Sequence, residues 1–545
     1  MAQSVYEQFR DAALQSPNLP FLCYPPSVDR GYVAEGGDFL YGEMLGKVDA
    51  IARSYQEAGY QAGHRVALVL GNRPEHFVHL LALNSVGVTV VPLNPGYLNH
   101  EFAYGIDFAD CALVVGAAPR MDDLWLVAAG LSTPVPVIDG EQLPDRFPSP
   151  AARIQSSASS LGDREAMIIY TSGTTGRPKG CIISNASCLA AGESYSTAGG
   201  VINFEKGRDR LYIPLPSYHM NVSIYTLNTM ARLHSCMVMQ DRFRASTWWS
   251  DIVVTRATCV HYMGIIPPLL LKAPFSQDER RHSVKFGQGA GIDPIVKEGF
   301  ERRFGFPLVE AWGMTETSRA IQNSREPRDS DGRAFGRPRP PLEVRIADEN
   351  DEPLPFGMAG ELLVRAEGGN PRHGFFSGYL KQPEETEKAW RNGWFHTGDI
   401  AMQREDGMLF FIERRKNIIR RSGENIAAAE IEEALINHPE IESVAVMAVA
   451  DELHDEEILA CIVLMPGVDP SVDLARAIQE RARDRLAPYK LPAWLAFIET
   501  IPVTGTQKVQ KGSIFPEGVD PRTDPRSVDL RDTKRKRSQE KIRII

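Results

Sequence analysis

The stretch Ala166–Gly180 reads AMIIYTSGTTGRPKG and joins a short apolar run to a loop of small and polar residues. The apolar part, Ala166–Tyr170, has the length and composition of a buried strand. Three glycines and a proline interrupt the part that follows, which predicts a loop rather than a strand or a helix. Glycine lets backbone N–H groups approach an anion, and the loop adds hydroxyl donors and the Lys179 ammonium. The sequence therefore predicts a loop that binds a polyphosphate.

Two other interpretations of this loop fit less well. A Walker P-loop requires Gly-Lys-Ser/Thr, which is missing, and Pro178 interrupts the approach to a helix. A plain Gly/Ser linker between domains would not require a buried strand leading into it.

The flanking segments alternate between strand and helix patterns. Arg65–Leu70, Pro74–Ser85 and Val88–Val91 predict a βαβ unit, and hence a parallel sheet with helices on its faces. A second series of this type runs from Leu211 to Glu310. Over 332–411 the pattern changes to short strands with many prolines and glycines, which suits a small β-barrel. The fold class is therefore α/β, with stacked αβ subdomains and a small β-barrel.

The end of the chain predicts a separate domain and a tail. A compact α+β pattern starts near Glu413. We expect an N-terminal domain over 1–415, a C-terminal domain over 416–517, and a disordered basic tail over 518–545. The tail is rich in Asp, Pro and Arg and contains Lys534-Arg-Lys-Arg537.

Composition narrows the class of protein. The net charge of −10 argues against nucleic acid as a main partner. The seven cysteines are scattered and lack the paired spacing of a disulfide frame or a zinc site, so we expect reduced core residues in a cytoplasmic protein. The N-terminus has no signal-peptide core, and no run of 18 apolar residues predicts a membrane span.

Tyr170–Gly180 resembles the first signature of the adenylate-forming superfamily, which contains acyl-CoA ligases, nonribosomal adenylation domains and firefly-type luciferases. Five signatures occur in the right order, and the resemblance covers residue 5 to about 515. It implies that the loop holds the β- and γ-phosphates of ATP and that the C-terminal domain is mobile. The loop residues so implied are Thr171, Ser172, Gly173, Thr174, Thr175, Gly176 and Lys179, with Thr174 also catalytic.

Two further signatures imply the rest of the nucleotide site. Trp312–Thr317 resembles the stretch that stacks on adenine, contacts phosphate and binds Mg²⁺ through its glutamate, here Glu316. One carboxylate suffices for a hard cation that also binds phosphate oxygens. Gly393–Asp399 resembles the ribose-binding stretch, whose carboxylate accepts two hydroxyl donors. The implied ATP- and AMP-binding residues beyond the loop are Gly289, Ala290, Gly291, Glu310, Ala311, Trp312, Gly313, Met314, Thr315, Asp399 and Arg414. Taken alone, a Trp-Gly pair after a strand is more often core.

The last signatures lie in the C-terminal region. Lys416 matches the hinge residue, and Arg421–Ile426 resembles the loop that faces CoA, which implies Ser422, Gly423 and Glu424 as CoA-binding residues. Lys508 matches the catalytic lysine that bridges the carboxylate and the α-phosphate. Without the resemblance, the loop is an ordinary turn before a helix and Lys508 is surface charge.

The acyl site is implied less directly. Pro214–His219 resembles the Pro-aromatic-His element beside this site, which implies that His219 orients the carboxylate, in a catalytic role, or gates the tunnel. The alternative is a structural histidine. The implied acyl pocket contains His219, Tyr262, Gly287 and Arg319. A buried Arg319 suggests an acid with a second polar or anionic group, with His261 as a further polar contact. The alternative is a pair between Arg319 and Glu310.

These features together predict an AMP-forming, ATP-dependent acid–CoA ligase that works through an acyl-adenylate. The region 212–274 looks most like the crotonobetaine/carnitine-CoA ligase branch. The alternative is a stand-alone adenylation enzyme that loads a carrier-protein pantetheine. The expected cofactors and partners are ATP, Mg²⁺, CoA and a small carboxylic acid, with no nucleic acid and with a homodimer as a candidate assembly.

Overall fold

The computed structural model describes residues 2–151, 160–171, 178–329, 333–421, 424–451, 455–503, 509–516 and 518–532. The chain divides into two compact units. Unit 1 contains Met1–Val344, Val364–Phe395 and Asp406–Leu409, and unit 2 contains Arg345–Leu363, His396–Glu405 and Phe410–Ile545.

The first part of unit 1 alternates helices and strands, as the βαβ pattern predicts. In chain order the elements are α1 Val5–Gln15, β1 Pro20–Tyr24, β2 Gly37–Leu40, α2 Tyr41–Glu57, β3 Arg65–Val69, α3 Pro74–Ser85, β4 Thr89–Pro92, α4 Asn99–Phe108, β5 Leu113–Gly116, α5 Met121–Ala129, β6 Val137–Asp139, β7 Glu165–Thr171, β8 Lys179–Ser184 and α6 Asn185–Ser196.

The remainder of unit 1 repeats this alternation and ends in shorter elements. These are β9 Arg210–Ile213, α7 Leu227–Leu233, β10 Cys236–Met239, α8 Trp248–Val254, β11 Cys259–His261, α9 Ile266–Lys272, β12 Phe286–Gly289, α10 Pro294–Phe304, β13 Leu308–Gly313, β14 Ala320–Gln322 and β15 Ala334–Gly336. Strands β16 Leu342–Ala347 and β17 Ala359–Ala366 come next in the chain, and β18 Gly378–Tyr379 and α11 Pro383–Ala389 follow them.

Two sheets organise unit 1. The first has the order β18-β8-β7-β4-β3-β5-β6, with β7, β4, β3, β5 and β6 parallel. The second has the order β14-β13-β12-β11-β9-β10-β1-β2, with antiparallel strands only at its two ends. Strands buried on both faces are nearly continuous apolar runs, which is why their positions were readable from sequence.

The phosphate loop connects an antiparallel hairpin. β7 pairs with β8, and Thr171 lies opposite Lys179. The prediction that the loop continues to Gly180 without strand is therefore wrong for Lys179 and Gly180, which begin β8. Pairing with Tyr170 and Thr171 holds the backbone of these two residues in an extended conformation, despite the adjacent proline and glycines. Helix α6 follows β8 directly, capped by the Ser184 side chain.

Unit 2 contains the strands that end the β-rich region and a second α/β assembly. Its elements after β16 and β17 are β19 Phe395–Gln403, β20 Leu409–Arg414, β21 Ile418–Arg421, β22 Glu424–Ala427, α12 Ala428–Ile436, β23 Ile441–Asp451, β24 Asp455–Leu464, α13 Val472–Ala482, β25 Trp494–Phe497 and β26 Ser527–Asp529. The strands β20, β19, β17 and β16 lie in that order. The last six strands form a sheet that packs a core of Ile, Leu and Ala side chains from β24, α12 and α13.

The tail is ordered in its first part. β26 pairs with β25, and Leu530 is fully buried in the core of unit 2. Asp520–Arg522, Asp524–Arg526 and Asp529–Arg531 ion pairs hold the intervening turns. The prediction of disorder from 518 onwards is therefore wrong for residues 518–532, because Leu530, Val528 and a short edge strand fix this polar segment. Residues 533–545 lie outside the described residues.

Two compositional expectations can be compared with the structure. All seven cysteines are buried and unpaired, as expected for core residues. Within the described ranges, the helices are too short or too polar to cross a membrane.

Candidate active site

The phosphate hairpin places Thr171 and Lys179 at the open end of β7 and β8. Thr171 Oγ1 donates a hydrogen bond to the Lys179 carbonyl at 3.4 Å. The loop residues between them that the sequence singles out, Ser172, Gly173, Thr174, Thr175 and Gly176, lie outside the described residues.

Tyr379 connects Lys179 to Glu316. The Lys179 ammonium lies 4.8 Å from the centre of the Tyr379 ring and also contacts Glu385 Oε2 at 2.8 Å. The Tyr379 hydroxyl donates to Glu316 Oε1 at 3.0 Å. Burial and the nearby Glu316 carboxylate raise the pKa of Tyr379, so this phenol stays a hydrogen-bond donor. An ammonium group and a carboxylate are thus both held against one aromatic side chain.

The turn between β13 and β14 fixes the position of Glu316. Thr317, fully buried, accepts a hydrogen bond from Met314 N–H at 3.1 Å and donates to the Arg319 carbonyl at 2.9 Å. The Glu316 carbonyl accepts from Phe376 N–H at 2.9 Å. Sequence reasoning assigned no role to Thr317 or Tyr379. Tyr379 gives no pattern signal because its strand has two residues.

The chemistry of these side chains fits a magnesium nucleotide. The described residues contain no group of three or more His, Cys, Asp or Glu side chains that could bind a metal unaided. Mg²⁺ commonly takes one or two protein carboxylates together with substrate phosphates. The Glu316 carboxylate, oriented by Tyr379 and close to the phosphate hairpin, suits that ligand set.

The residues expected around adenine lie at the ends of β12 and β13. Trp312 is buried, and its ring centre lies 6.0 Å from that of Phe335. A Cβ atom at Gly289 would lie 2.4 Å from Tyr262, so only glycine fits there. Gly291 has a φ of +80°, in the region that favours glycine. Ala290, Ala311 and Gly313 belong to the same two segments, and Met314 and the buried Thr315 follow directly.

Glu310 holds the glycine turn. Its Oε1 accepts a hydrogen bond from Gly291 N–H, and its Oε2 accepts from the Tyr262 hydroxyl at 3.3 Å. Burial raises the pKa of Glu310 to about 7. These contacts replace the alternative pair with Arg319, whose described hydrogen bond goes to the His373 carbonyl at 3.2 Å.

In unit 2, the two residues expected to bind ribose contact each other. Arg414 Nε lies 3.5 Å from Asp399 Oδ1, and Asp399 is buried. Next to them, Glu413 accepts hydrogen bonds from Asn417 Nδ2 at 3.1 Å and from Ala429 N–H at 2.9 Å. The second contact places a carboxylate at the N-terminus of α12, where it stabilises the helix dipole.

Several C-terminal predictions fall partly or wholly outside the described residues. The backbone of Lys416 lies in the short 3₁₀ turn Arg415–Asn417, and Glu424 begins β22, but their side chains are not described. Ser422, Gly423 and Lys508 lie outside the described residues.

The predicted acyl-pocket residues separate into two locations. His219 is half-buried, and its carbonyl accepts from Val222 N–H at 3.2 Å, next to the π-helical turn Asn221–Thr226. Tyr262 follows β11 and Gly287 lies in β12, where a Cβ atom would meet Leu308 at 2.6 Å. Arg319 instead lines a cleft beside α6, whose lining contains none of the other three.

A neutral polar network lies at the ends of strands β11, β12 and β14. His261 contacts the Tyr195 hydroxyl at 2.9 Å and Asn221 Oδ1 at 3.0 Å, and burial lowers its pKa to about 3. The Tyr225 hydroxyl accepts hydrogen bonds from Gln288 Nε2 at 3.3 Å and Gln322 Nε2 at 2.5 Å. Its signal in the sequence is a polar residue at or next to the end of each strand, namely His261, Gln288 and Gln322.

Parallel α/β sheets bind ligands at the carboxyl ends of their strands, and this is where the glycine turn, Trp312 and the polar network lie. With a phosphate hairpin on the neighbouring sheet and a carboxylate beside it, unit 1 has the features of an adenylate-forming enzyme. Sequence comparison agrees. The model of the AMP-binding enzyme family matches residues 9–380, and that of the AMP-binding enzyme C-terminal domain matches 430–508. The chain belongs to the AMP-binding enzyme family, among the AMP-forming acid–CoA ligases.

Individual relatives support the same placement. The chain is 29% identical over 491 residues to the crotonobetaine/carnitine--CoA ligase of Proteus mirabilis, covering 87% of this chain and 92% of that protein. It is 30% identical over 495 residues to the corresponding ligase of Citrobacter koseri, covering 87% and 93%.

Solved structures share the fold. The ATP-bound RpMatB-BxBclM chimera B1 superposes with a TM-score of 0.79 at 25% identity, covering 94% of this chain and 98% of that one. O-succinylbenzoate Coenzyme A Synthetase (MenE) from Bacillus subtilis gives a TM-score of 0.79 at 22% identity with the same coverage. A large N-terminal and a small C-terminal domain are thus confirmed, while the boundary at 415/416 stays a prediction.

Proposed function

We propose that this protein converts a carboxylic acid, ATP and CoA to the acyl-CoA, AMP and pyrophosphate through an acyl-adenylate. The observation that carries this proposal is the Lys179–Tyr379–Glu316 arrangement next to the phosphate hairpin. It supplies the positive charge and the oriented carboxylate that a magnesium polyphosphate requires.

In the first step, an oxygen of the substrate carboxylate attacks the α-phosphorus, and the bond to the pyrophosphate oxygen breaks. Lys179 and the hairpin donors compensate charge on the departing phosphates, and Glu316 would hold the Mg²⁺ that neutralises them. Fixed donors and charges do this without reorganising during the reaction. Asp399 and Arg414 would hold the ribose, and Lys508 would bridge the carboxylate and the α-phosphate.

In the second step, the CoA thiolate attacks the acyl carbonyl and AMP leaves. We propose that the C-terminal domain rotates about Lys416 between the steps and that Ser422, Gly423 and Glu424 then face the pantetheine. The short turn Arg415–Asn417, between β20 and β21, is a suitable site for a backbone rotation.

The polar network suggests what kind of acid is used. Gln288 is 4% exposed, and its Oε1 atom has no hydrogen-bond partner among the described residues. A buried unpaired carbonyl is costly unless a ligand or water satisfies it. Because His261 is held neutral and the other members are amides and phenols, we propose an acid whose far end carries an uncharged hydrogen-bond donor. The proposal of a polar acid therefore rests on Gln288 and His261 and no longer on Arg319.

The half-reactions test the mechanism. Lys508→Ala should slow adenylation about 100- to 1000-fold, the usual effect of removing one aimed charge, while thioester formation from supplied acyl-adenylate stays near the wild-type rate. Lys511→Ala is the matched control, because Lys511 already pairs with Glu432 at 2.8 Å. An equal loss in both half-reactions would show that Lys508 does not act at the first step alone.

The acid proposal has its own test. Gln288→Leu should raise KM for polar acids about tenfold or more and lower it for alkyl acids of the same length, since it removes an acceptor and adds apolar surface. Crotonobetaine and carnitine belong in the panel because they appear in the names of the relatives. An unchanged ranking of acids would contradict the assignment of Gln288 to the acyl site.

A further inference from the structure

A cleft in unit 1 is lined by Arg319, Ala320 and Ile321, and the last two residues pair with Gly313 and Trp312 in the neighbouring strand β13. It has a volume of about 840 Å³ and is bordered by α1, α6, the β13–β14 turn and the segment around Arg337–Leu342. That volume is in the range of small-molecule sites. Its lining contains neither Lys179 nor Trp312, and we refer to it as the arginine cleft because Arg232, Arg319, Arg337 and Arg339 line it.

Arg319 is the most buried of these side chains, at 6% exposure. Its one described hydrogen bond, from Nη1 to the His373 carbonyl, leaves four of its five N–H donors for another partner. Gly374, with a φ of +76°, makes room for it, because a Cβ atom there would lie 2.2 Å from Arg319 Nη2. The Arg319 guanidinium therefore occupies space that the absence of a side chain at Gly374 leaves open, and it does not extend into solvent.

Arg339 is fixed in a similar way at the end of α6. Its Nη1 donates to the Thr197 carbonyl at 2.8 Å and its Nη2 to the Ser194 carbonyl at 2.9 Å. Among the described residues, no carboxylate lies within 4.0 Å of the charged nitrogens of Arg319 or Arg339. Burial lowers the pKa of both guanidinium groups. The Glu193 carboxylate opposes this shift at Arg319, and nearby Arg325 lowers the pKa of Arg339 further.

The acidic side chains of the cleft already have partners. Glu193 pairs with Arg232 at 3.2 Å, and Asp11 with Arg10 at 3.7 Å. Arg337 pairs with Asp406 at 2.7 Å. The cleft therefore holds one buried guanidinium group, Arg319, and one half-buried group, Arg339, and neither forms a described ion pair with the two carboxylates that line it. A buried charge without an ion-pair partner is strongly unfavourable.

We propose that the arginine cleft binds the phosphate or carboxylate group of a small anionic molecule, with Arg319 and Arg339 as its contacts. The planar guanidinium fork matches both oxyanions in a bidentate manner. The lining of this cleft contains none of Lys179, Glu316 and Trp312, and the proposal does not depend on the acid–CoA ligase activity.

Isothermal titration calorimetry with inorganic phosphate, and in a second arm with succinate, tests the proposal on the full chain. The wild-type protein should bind at least one probe, and Arg319→Gln and Arg339→Gln should each weaken that binding about tenfold or more. Arg208→Gln is the matched control, because Arg208 has an 80% exposed side chain outside the cleft. Lys179→Gln tests binding at the phosphate hairpin instead.

Binding in the four variants distinguishes the arginine cleft from the phosphate hairpin. Binding that survives Arg208→Gln and Lys179→Gln but is lost in both cleft variants supports the proposal, and the preferred probe identifies phosphate or carboxylate. Binding of neither probe, or binding lost in Lys179→Gln and kept in Arg319→Gln, overturns it. If Arg319→Gln does not fold, Arg339→Gln, whose residue is half-buried, provides the same decision.

Discussion

At the residue scale, Tyr379 organises the charged part of the candidate active site. It presents a ring face to the Lys179 ammonium and a hydroxyl to Glu316. Tyr379 is a positioning residue in our account, because it orients a metal-binding carboxylate and does not itself touch the reacting atoms. Such supporting contacts commonly affect metal affinity or activity by about 10- to 100-fold.

Tyr379→Phe removes the hydroxyl and keeps the ring. We predict that half-saturation of adenylation by Mg²⁺ shifts about tenfold upward, because the Glu316 carboxylate loses its orienting donor. The measurement is ATP–pyrophosphate exchange across a Mg²⁺ titration. Tyr97→Phe is a control, since the Tyr97 hydroxyl makes no described contact with Glu316. An unchanged Mg²⁺ profile would exclude the positioning role.

Glu310 provides a second prediction at this scale. Its pKa is raised by burial to about 7 from an ordinary value near 4.5, so the folded state favours its protonated form. Its contribution to stability is fully present below pH 4.5 and is lost as the pH rises through 7. Between pH 5 and 7.5 the wild-type protein should therefore lose stability relative to Glu310→Gln.

The measurement for Glu310 is the free energy of unfolding in denaturant at these two pH values. Glu298→Gln, at a 76% exposed side chain, should follow the wild-type pH dependence. If Glu310→Gln and the wild-type protein change in parallel, Glu310 is ionised in the folded state throughout this range.

At the scale of elements, helix α3 is buried on nearly all of its faces. His76 contacts Ser223 Oγ at 2.9 Å, and His79 contacts the Tyr55 hydroxyl at 2.7 Å. Burial lowers the pKa of His76 to about 3 and that of His79 to about 4. The folded state keeps both rings neutral, whereas the unfolded chain binds protons near pH 6.5.

Stability from these histidines is therefore present above pH 6.5 and is lost as the pH falls towards 4. Each can contribute a slope of up to about 1.4 kcal/mol per pH unit. His76→Gln should make the loss of unfolding free energy between pH 7 and 5.5 about 1 kcal/mol smaller, whereas His100→Gln, at an exposed position, should leave it unchanged. Equal losses in all three proteins would contradict the neutral, buried state of His76.

Strand β26 gives a further prediction for an element. Leu530 has no exposed surface and lies in the apolar core of unit 2, next to α13 and β25. Leu530→Ala should destabilise unit 2 by about 2–5 kcal/mol through the cavity it leaves. Val519→Ala, at 41% exposure, is the control and should change stability by less than about 0.5 kcal/mol. A wild-type unfolding midpoint for Leu530→Ala would show that the segment is not part of the core.

At the scale of the whole molecule, the sequence predicted most of what local chemistry determines. Apolar runs such as Arg65–Val69 located the parallel strands, and Pro74 marked the start of α3. The glycine-rich hairpin and the Trp312–Thr317 stretch identified the family. Each of these features is a continuous segment, so the residues that carry its signal are neighbours in the chain.

The sequence failed where the outcome depends on contacts between distant segments. Tyr379 meets Glu316 across 63 positions, and nothing near either residue indicates the contact. The hydrogen bond from Arg319 to the His373 carbonyl spans 54 positions and has no signal in either segment, while the assignment of Arg319 to the acyl pocket stays a prediction. Leu530 was included in the predicted disordered tail, because the sequence does not show that a single leucine among Asp, Pro and Arg residues is buried.

The measurement that tests the central claim most directly is acid-dependent release of AMP and pyrophosphate from ATP, with and without CoA. A panel of carboxylic acids that includes crotonobetaine and carnitine should contain at least one acid that supports ATP–pyrophosphate exchange alone and steady AMP release with acyl-CoA formation once CoA is added. Steady AMP release only with a holo-carrier protein would contradict the CoA step. The absence of acid-dependent exchange across the panel, with ATP bound normally, would contradict the ligase assignment itself.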